Sequence, residues 1–518
     1  MKTIDFKITK VNLNDNLSLK LDTGSLVVIV GPNNSGKTTL LDEIEYKLKK
    51  PDSENLNVKK IETNITEVDF NVLEEYFLKD LNLKKVKDYG FQKFVGFETK
   101  VDVPFSKEKT QIKGDIISAF VLYVDTITRL NVIKPTPTIS ITKDSITHPF
   151  HYLLRYENLE QQLSDYVKEI FDFDIMLHPY AGQNVYLLIG NKPDLNKTQT
   201  RYETVQKYDN MDELEDQGDG VKAYVGVLLT LIASSQKIIL IDEPENFLHP
   251  PQANKLGKLI GSYSQTKDKQ LFITTHSTNF LKGILESNHP NLQILRITKS
   301  HLVNVLENKL CKDIWNEDPI LKSSNLLDGL FHDAVIICES DVDVKFYSLI
   351  LDQIGKNTKD ILFVASYGKE KMAKMQLVLN KLNVENKCIV DFDAIADKNF
   401  IQNLCSIHNI DFNSLKPIYE PIFQFLKDKD KEDIKRAGKQ ILSSGIQIHY
   451  DNLHTILCDN NIFLVENGEL ERFVKTKTGK SGKWLSEVIK DFDTLVIKHE
   501  LDEATSFINE ILKSINKS

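Results

Sequence analysis

Apolar and polar positions alternate with two different periods in the first fifty residues. Thr3–Thr9 and Leu17–Leu21 alternate polar with apolar residues, which predicts two short strands that pair in antiparallel orientation. Ser25–Val30 is a continuous apolar run, the pattern of a strand that is buried on both faces. A helix is predicted over Lys37–Lys49, directly after it. The pattern therefore predicts a small sheet that leads through a loop into a helix.

The alternation of helix and strand returns after residue 215. Gly220–Ser234 predicts a helix, and Lys237–Glu243 and Gln270–Thr275 predict buried strands, an order typical of a doubly wound α/β sheet. The residues before them mix both patterns. Phe120–Asp125 predicts a buried strand, and Leu159–Phe171 predicts a helix with one apolar face.

A second series of alternating elements begins near residue 330. It predicts a βαβαβ unit, whose parallel sheet forms a second domain. Its elements are the strand Ala334–Cys338, the helix Val342–Ile354, the strand Ile361–Ala365, the helix Lys371–Leu382 and the strand Lys387–Phe392. Residues 400–460 are predicted to be helical, and residues 484–518 to form an amphipathic helix.

Composition narrows the class of protein. The chain has 518 residues, which corresponds to about three domains or two large ones. Its 41% hydrophobic residues and net charge of −9 exclude a disordered or fibrous chain. It has neither an apolar stretch of about 20 residues nor a signal peptide's apolar core, so no membrane span is predicted. Five cysteines without a CxxC pair fit the reduced cytoplasm and argue against a zinc site.

A phosphate-binding loop is predicted between the third strand and the first helix. Residues 31–38, Gly-Pro-Asn-Asn-Ser-Gly-Lys-Thr, fit the pattern G-x-x-x-x-G-K-[ST] in the strand–loop–helix context that it requires. Lys37 is expected to reach the β- and γ-phosphates of ATP, and Thr38 to bind Mg²⁺. The predicted nucleotide-binding residues of this segment are Gly31, Asn33, Asn34, Ser35, Gly36, Lys37, Thr38 and Thr39.

An acidic pair ends the predicted strand Lys237–Glu243. Asp242 lies at the carboxyl end of the strand, where open α/β sheets bind ligands, and is expected to hold Mg²⁺. Glu243 is placed to act on the attacking water as a general base. Alone, either acid would equally fit a solvated strand end, but the loop at Gly31 favours the catalytic interpretation. His276 ends the next strand, where it is expected to contact the γ-phosphate.

A second set of acids lies at the strand ends of the βαβαβ unit. Glu339 follows the first strand, Asp343 stands four residues later, and Asp391 and Asp393 end the third strand. Because the ends of neighbouring parallel strands meet, these acids are expected to converge. Clustered carboxylates repel one another unless a cation joins them, and hard oxygen ligands select Mg²⁺ or Mn²⁺. Such metals support phosphodiester cleavage. Each acid alone also fits a solvated strand end.

The loop and the acidic pair resemble the ABC-type ATPase heads of SMC-like and OLD-family (overcoming lysogenization defect) proteins. Residues 242–250, Asp-Glu-Pro-Glu-Asn-Phe-Leu-His-Pro, are especially similar to that group. The resemblance implies ATP held between two heads, hence a homodimer or a larger homo-oligomer. It also implies a signature loop that covers the partner's ATP. Gln217–Lys222, which contains Gly220, is the candidate, although Asp219 stands near the place of the usual serine.

The E-x-x-x-D and D-x-D spacing of the second set resembles a TOPRIM domain, which occurs in topoisomerases, primases and OLD-family nucleases. Ser340 stands where a glycine commonly follows the first glutamate. The resemblance implies that Glu339, Asp391 and Asp393 are catalytic. It also adds downstream acids, Glu471 and Asp397, as further candidate metal ligands.

Both resemblances together match the layout of OLD-family proteins. They imply an α/β chain in which residues 1–325 form an ABC-type P-loop ATPase head with a helical arm inserted at about residues 155–215. A TOPRIM domain is expected over residues 326–518, with a helical insertion at about residues 400–460.

The implied function is a nucleotide-gated, metal-dependent DNA endonuclease or nickase that uses ATP and Mg²⁺, with Mn²⁺ possible at the nuclease site. The family also implies anti-phage defence, either alone or with a partner such as a retron reverse transcriptase and its RNA–DNA product. Two alternatives stay open. One is an ATP-dependent sensor or scaffold with a catalytically silent TOPRIM domain. The other is a DNA-repair ATPase, which explains the head but not the second set of acids.

Overall fold

The computed structural model of the protein divides the chain into two units, Met1–Cys311 and Lys312–Ser518. The residues it describes are 4–13, 17–88, 91–96, 99–104, 109–193, 200–266, 268–306, 309, 325–355, 360–408, 410–477 and 481–515. The predicted domain boundary after residue 325 adjoins residues 310–324, which lie outside the described residues, and it stays a prediction. No helix in these ranges is long and apolar enough to cross a membrane.

The N-terminal unit contains strands and helices in mixed order. Its strands are β1 (Ile8–Leu13), β2 (Ser18–Lys20), β3 (Leu26–Val30), β4 (Val58–Thr63), β5 (Glu67–Asp69), β6 (Lys84–Asp88), β7 (Phe91–Gly96), β8 (Thr99–Pro104), β9 (Lys109–Gln111), β10 (Val121–Val124), β11 (Thr136–Pro137), β12 (Asp174–Leu177), β13 (Asn184–Val185), β14 (Leu187–Gly190), β15 (Asp212–Glu213), β16 (Ile238–Asp242), β17 (Gln270–Thr274), β18 (Leu292–Ile297) and β19 (Val303–Leu306). Its α-helices are α1 (Lys37–Lys49), α2 (Phe70–Glu75), α3 (Thr126–Asn131), α4 (Pro149–Arg155), α5 (Glu157–Phe171), α6 (Arg201–Asp209), α7 (Asp219–Ile232), α8 (Pro250–Thr266) and α9 (Thr278–Glu286).

A six-stranded sheet forms the centre of this unit, in the order β10-β16-β17-β3-β18-β19. All neighbours are parallel except β18 and β19, which are antiparallel. Every residue of β3 and β17 is buried, as their continuous apolar sequences predict. The carboxyl ends of β3, β16 and β17 therefore lie along one edge, and the loops that follow them come together there.

The predicted elements around the phosphate-binding loop are confirmed. Helix α1 begins and ends at the predicted residues, and β3 begins one residue later than expected. The first two strands do pair in antiparallel orientation, but β1 covers Ile8–Leu13 instead of Thr3–Thr9. Its bounds are set by a second partner, because β1 also pairs with β4 on its other side.

The prediction of a helical arm at residues 155–215 is wrong. Helix α5 is present, but strands β12, β14 and β15 follow it and form a three-stranded antiparallel sheet. The apolar runs of β12 and β14 are so short that periodicity alone does not separate a strand from a buried helix segment, and the pairing of the two strands buries them. Helix α5 packs on this sheet, and the Ser164 hydroxyl accepts a hydrogen bond from the Ile175 N–H at 3.1 Å.

The C-terminal unit is a second α/β fold. Its strands are β20 (Ala334–Cys338), β21 (Ile361–Ala365), β22 (Glu385–Asp391) and β23 (Ile462–Val465). Its helices are α10 (Asp341–Ile354), α11 (Lys369–Lys381), α12 (Lys398–Ile407), α13 (Phe412–Leu426), α14 (Lys431–Ala437), α15 (Ser444–Asp459), α16 (Ser481–Ile497) and α17 (Asp502–Ile515). The predicted βαβαβ order and the helices of residues 400–460 are thus confirmed. The tail forms two helices instead of one, and His499 between them has a left-handed φ of 61°.

The four strands of this unit are all parallel, in the order β21-β20-β22-β23. The chain passes from β20 outward to β21 and then crosses back to the other side of β20 to form β22. The direction of winding therefore reverses between β20 and β22. In open α/β sheets the crevice outside the carboxyl ends of such strands is where ligands bind.

Helices α8 and α9 pack closely against each other. Helix α8 follows the loop after β16, and α9 follows the loop after β17, so this packing holds both loops in place. At Gly283 in α9 an added Cβ would overlap the carbonyl oxygen of Asn254 in α8. Gly283→Ala is therefore expected to lower the free energy of unfolding by about 1–3 kcal/mol, measured by chemical denaturation. Gly445→Ala is the control, because that glycine also lies in a helix but has open space around it. Equal stability of Gly283→Ala and wild type would contradict this close helix contact.

Candidate functional site

The loop between β3 and α1 has the backbone of a phosphate cradle. Gly31 and Gly36 have φ angles of 155° and 93°, and an added Cβ at Gly31 would overlap the carbonyl oxygen of Ile297. Helix α1 begins after Gly36 with no side-chain cap, so its first N–H groups are left for a ligand. The side chains of Asn33, Asn34 and Thr39 are exposed at this loop, whereas Ser35 is buried.

Lys37 and Thr38, the predicted nucleotide and Mg²⁺ ligands, make hydrogen bonds to the loop and to the acidic pair. The Lys37 ammonium donates hydrogen bonds to the carbonyl oxygens of Gly31 and Pro32, both at 3.0 Å. Burial lowers the pKa of Lys37. The Thr38 hydroxyl donates to the Asp242 carboxylate at 3.0 Å, although the two residues are 204 positions apart. Thr38 and Asp242 are therefore the residues that could hold a Mg²⁺ ion beside the loop.

Glu243 and His276 form an ion pair at the same edge of the sheet. Glu243 has a left-handed φ of 47°, and its carboxylate lies 3.2 Å from Nδ1 of His276. Asn246 donates a second hydrogen bond to this carboxylate at 3.1 Å. The bond from His276 is the main reason that the pKa of Glu243 falls to about 2, and the same bond raises the pKa of His276. His276 thus orients Glu243, and its predicted contact with a γ-phosphate stays a prediction.

Two charged residues of this site were not predicted. Glu245 is buried, and its carboxylate accepts hydrogen bonds from the Thr275 hydroxyl at 2.6 Å and the His276 N–H at 3.0 Å. Arg129 in α3 is fully buried and donates to the carbonyl oxygens of Asp242 at 2.6 Å and Glu243 at 3.1 Å. Glu245 was visible within the acidic motif. No sequence pattern indicated Arg129, because it lies more than 100 residues before the acidic motif.

The candidate signature segment adjoins the turn that follows the acidic pair. Gly220 is the second residue of α7, and an added Cβ there would lie 2.8 Å from the carbonyl oxygen of Phe247. Phe247 has a left-handed φ of 72°, and its side chain is exposed. A contact between Gly220 and the nucleotide of a second subunit stays a prediction.

Three of the acids predicted for the C-terminal unit lie at or just after the ends of the neighbouring strands β20 and β22. Glu339 follows β20, Asp391 ends β22, and Asp393 lies in the helical turn after β22. Burial raises the pKa of Asp391 well above its usual range, and the charges of Glu339, Asp343 and Asp393 raise it further. These carboxylates therefore share one electrostatic environment at the edge where the strand order reverses.

The structure gives Asp343 a second role. Its carboxylate accepts hydrogen bonds from the N–H and the hydroxyl of Ser340, both at 2.7 Å, and so caps helix α10. This explains the serine at the position where a glycine is common. Glu471 lies close enough to contribute to the raised pKa of Asp343. Asp397 is the N-cap of helix α12, where its carboxylate accepts a hydrogen bond from the N–H of Phe400.

Three lysines that were not predicted surround the same acids. The Lys369 ammonium lies 2.8 Å from Oδ1 of Asp393, and the Lys431 ammonium lies 3.4 Å from Oδ2. Burial by itself would lower the pKa of Lys435, but the carboxylates of Asp393 and Asp391 outweigh it and raise that pKa. The lysines come from the start of α11 and from α14, so only the folded chain brings them to the acids.

The donor set of this site fits a divalent cation in its chemistry. Its ligands are carboxylate oxygens, and the buried Oε2 of Glu339 and Oδ2 of Asp393 lack hydrogen-bond partners. Within the described ranges, however, no three His, Cys, Asp or Glu side chains stand together as a group ready to hold a metal ion. Lysine ammonium groups supply the positive charge instead.

The ion pair of Glu243 and His276 can be tested by titration. The pKa of His276 lies above its ordinary value of 6.5, because the Glu243 carboxylate stabilises the protonated ring. Glu243→Gln is expected to lower this pKa, measured from the ring-proton NMR signals of nucleotide-free protein, with His276→Asn to assign them. Glu54→Gln, which changes an exposed acid, should leave the midpoint where it is. An equal midpoint in Glu243→Gln would mean that the pair does not form in solution.

Two family models match the N-terminal unit. A model described as "ABC transporter" matches residues 14–102, which include the phosphate-binding loop. A model described as "AAA domain, putative AbiEii toxin, Type IV TA system" matches residues 139–282, which include the acidic pair and His276. A putative ABC transporter ATP-binding protein from Methanosarcina mazei is 40% identical over 68 residues, which are 13% of this chain and 14% of that protein. The chain thus matches only a small part of that relative.

Solved structures of nucleotide-binding heads are also similar. An SMC head bound to the C-winged helix domain of ScpA is 13% identical, with a TM-score of 0.34 over 58% of this chain and 96% of that one. The SMC head domain from Thermotoga maritima is 12% identical, with a TM-score of 0.30 over 58% of this chain and 98% of that one. Scores this low carry no weight beside the site residues. On its family matches, the chain carries an ABC-type ATPase domain.

Proposed function

We propose that the protein is a nucleotide-gated, metal-dependent DNA endonuclease or nickase of the OLD type. The observation that carries this proposal is the convergence of Glu339, Asp391 and Asp393 where the strand order of the C-terminal sheet reverses. Such a set of oxygen ligands suits Mg²⁺ or Mn²⁺, whose bound forms activate water and stabilise a leaving oxygen in phosphodiester cleavage. Anti-phage defence and a retron partner are supported by the family resemblance alone.

The N-terminal unit supplies the gate in this proposal. Lys37 and the N–H groups of its loop would bind the phosphates of ATP, and Thr38 and Asp242 would hold Mg²⁺. Glu243, oriented by His276, accepts a proton from the attacking water. Because this water must be held against a nucleotide between two heads, the active form is at least a homodimer. ATP binding then changes the geometry of the heads and, with it, access of DNA to the acids.

The C-terminal unit supplies the nuclease. Glu339, Asp391 and Asp393 would hold the metal, with Glu471 and Asp343 near enough to contribute. The exposed Lys431 ammonium attracts the DNA backbone, because phosphates release bound counterions when they pair with lysine. The net charge of −9 does not exclude DNA binding, because a local basic patch is sufficient for it.

A second candidate function is an ATP-dependent sensor or scaffold whose TOPRIM domain is catalytically silent. It is favoured by one observation: Asp393 is already neutralised by lysines, and the acids are not arranged as a ready metal site within the described part of the chain. In that case the protein would act through a partner effector, and loss of the acids would leave its activity intact.

The nuclease proposal predicts metal-dependent nicking of supercoiled or linear DNA. With Mg²⁺ or Mn²⁺ present, Asp391→Asn and Asp393→Asn are expected to reduce cleavage to the level of the metal-free reaction, because they remove charged ligands. Asp352→Asn, an exposed acid on α10, should cleave like wild type. Agarose gels with and without ATP would show the cleavage and the sign of the gate. A silent wild type under every condition would favour the scaffold.

The gate is tested with Glu243→Gln. Removal of the general base is expected to slow ATP hydrolysis by about 10²-fold or more, while ATP still binds and holds the dimer together. Release of phosphate measures the rate of ATP hydrolysis. Size-exclusion chromatography with light scattering measures whether the ATP-bound protein is a dimer. Glu54→Gln is the matched control. If Glu243→Gln cleaves DNA with ATP as wild type does, binding of ATP is the signal and its hydrolysis is dispensable. ATP hydrolysis by Glu243→Gln at the wild-type rate would show that Glu243 is not the general base.

A further inference from the structure

The ion pair of Lys369 and Asp393 is the most enclosed contact of the acidic site. Lys369 Nζ donates a hydrogen bond to Oδ1 of Asp393 at 2.8 Å. The side chain of Asp393 is 1% exposed and that of Lys369 is 14% exposed, so water screens this pair poorly. The only described partner of that carboxylate oxygen is an ammonium group, at a position where the proposed reaction requires a metal ion.

The backbone holds Lys369 in this place. Two backbone hydrogen bonds join the loop after β21 to the end of β20. The N–H of Ser366 donates to the carbonyl oxygen of Cys338 at 2.8 Å, and the N–H of Tyr367 donates to the backbone carbonyl oxygen of Glu339 at 3.0 Å. Gly368 then has a φ of 137°, a backbone conformation that residues other than glycine rarely adopt. Helix α11 begins at the next residue, Lys369. The fold therefore aims this lysine at Asp393.

Lys431 and Lys435 are also near these acids, and Lys431, which contacts Asp393 directly, differs from Lys369 in exposure. Lys431 is 73% exposed and lies 3.4 Å from Oδ2, beyond an ordinary hydrogen bond for this pair. Its ammonium can turn into water at little cost. The Lys369 ammonium is more enclosed, so a divalent cation that binds Oδ1 of Asp393 must displace it.

A divalent cation and the Lys369 ammonium would compete at Asp393, even if the cation bound through Oδ2. Asp393 Oδ1 accepts from Lys369, and a metal ion on that carboxylate would stand within a few ångströms of a second positive charge. The repulsion in a buried site is strong. Once displaced, the ammonium still stands at the rim of the acidic edge, where the incoming anion in the proposed reaction is a nucleic-acid phosphate.

We propose that Lys369 is an internal counterion that holds Asp393 until a divalent metal displaces it, and that the displaced ammonium then pairs with a phosphate of the bound nucleic acid. The inference rests on the proposed nuclease function and deepens it. It makes metal and DNA binding cooperative: metal frees Lys369 for the phosphate, and by linkage DNA favours metal to the same degree.

The first half is tested by Mn²⁺ binding without DNA, followed by electron paramagnetic resonance on the full-length protein. Lys369→Met removes the competing charge and is expected to bind Mn²⁺ about tenfold more tightly than wild type. Lys371→Met, two residues along the same helix, makes the same change in charge and should bind as wild type does. Asp391→Asn assigns the signal to this site by abolishing it. Equal or weaker binding by Lys369→Met than by wild type would overturn the exchange.

A second variant guards against loss of the fold. Lys369→Gln keeps a hydrogen-bond donor for Asp393 but carries no charge, so it is also expected to bind Mn²⁺ more tightly. Thermal denaturation of both variants with and without Mn²⁺ should show a larger upward shift of Tm than in wild type. A variant that folds but shows the wild-type shift contradicts the proposal.

The second half is tested by DNA affinity with Ca²⁺ as the metal, measured by fluorescence anisotropy of a labelled duplex. Ca²⁺ should tighten DNA binding by wild type and by Lys371→Met, but not by Lys369→Met. The same tightening in Lys369→Met would overturn this half. A wild type that binds Mn²⁺ through Asp391 and shows the exchange, yet never cleaves DNA, would overturn the nuclease function and leave the exchange supported.

Discussion

Carboxylates that meet at the carboxyl ends of parallel strands repel one another, and this repulsion is the constraint on which both sites depend. In the N-terminal unit the charge of Glu243 is balanced by His276, and the hydroxyl of Thr38 donates to Asp242. In the C-terminal unit Lys369 and Lys431 balance Asp393. Each unit therefore carries its own counterions before any metal or nucleotide arrives. In both units the carboxylates are therefore already in contact with protein groups of opposite or donor character.

The two units meet this constraint with different chemistry. In the N-terminal unit the backbone of the acidic pair is fixed by Arg129. The buried guanidinium of this residue donates hydrogen bonds to the carbonyl oxygens of Asp242 and Glu243. The carboxylates of the pair are thereby kept in one arrangement. The acids of the C-terminal unit are held by lysine ammonium groups, which are point charges on flexible stems and can move. The two units therefore differ in how their acids are held: by a buried guanidinium through the backbone in the first and by lysine ammonium groups in the second.

Sequence patterns predicted the local elements well wherever the chain alternates short apolar strands with helices. Helix α1 and strands β20 and β21 have the predicted bounds, because their apolar periods are clear and their ends carry loop residues. The helical arm failed for the opposite reason. Strands β12 and β14 are short, and their apolar residues become buried only by pairing with each other across the intervening turn. No local pattern distinguishes such a strand from part of a buried helix.

By itself the sequence determined the phosphate-binding loop, the acidic pair and the βαβαβ alternation of the C-terminal unit, because each depends on residues that are close together in the chain. It also identified Glu339, Asp391 and Asp393, since strand ends can be read from apolar runs. Only the tertiary structure decided what surrounds these acids. The counterions Arg129 and Lys369 come from other elements, and a buried charge is stabilised by whichever partner the fold brings within a few ångströms. That distance depends on packing, which no spacing along the chain records.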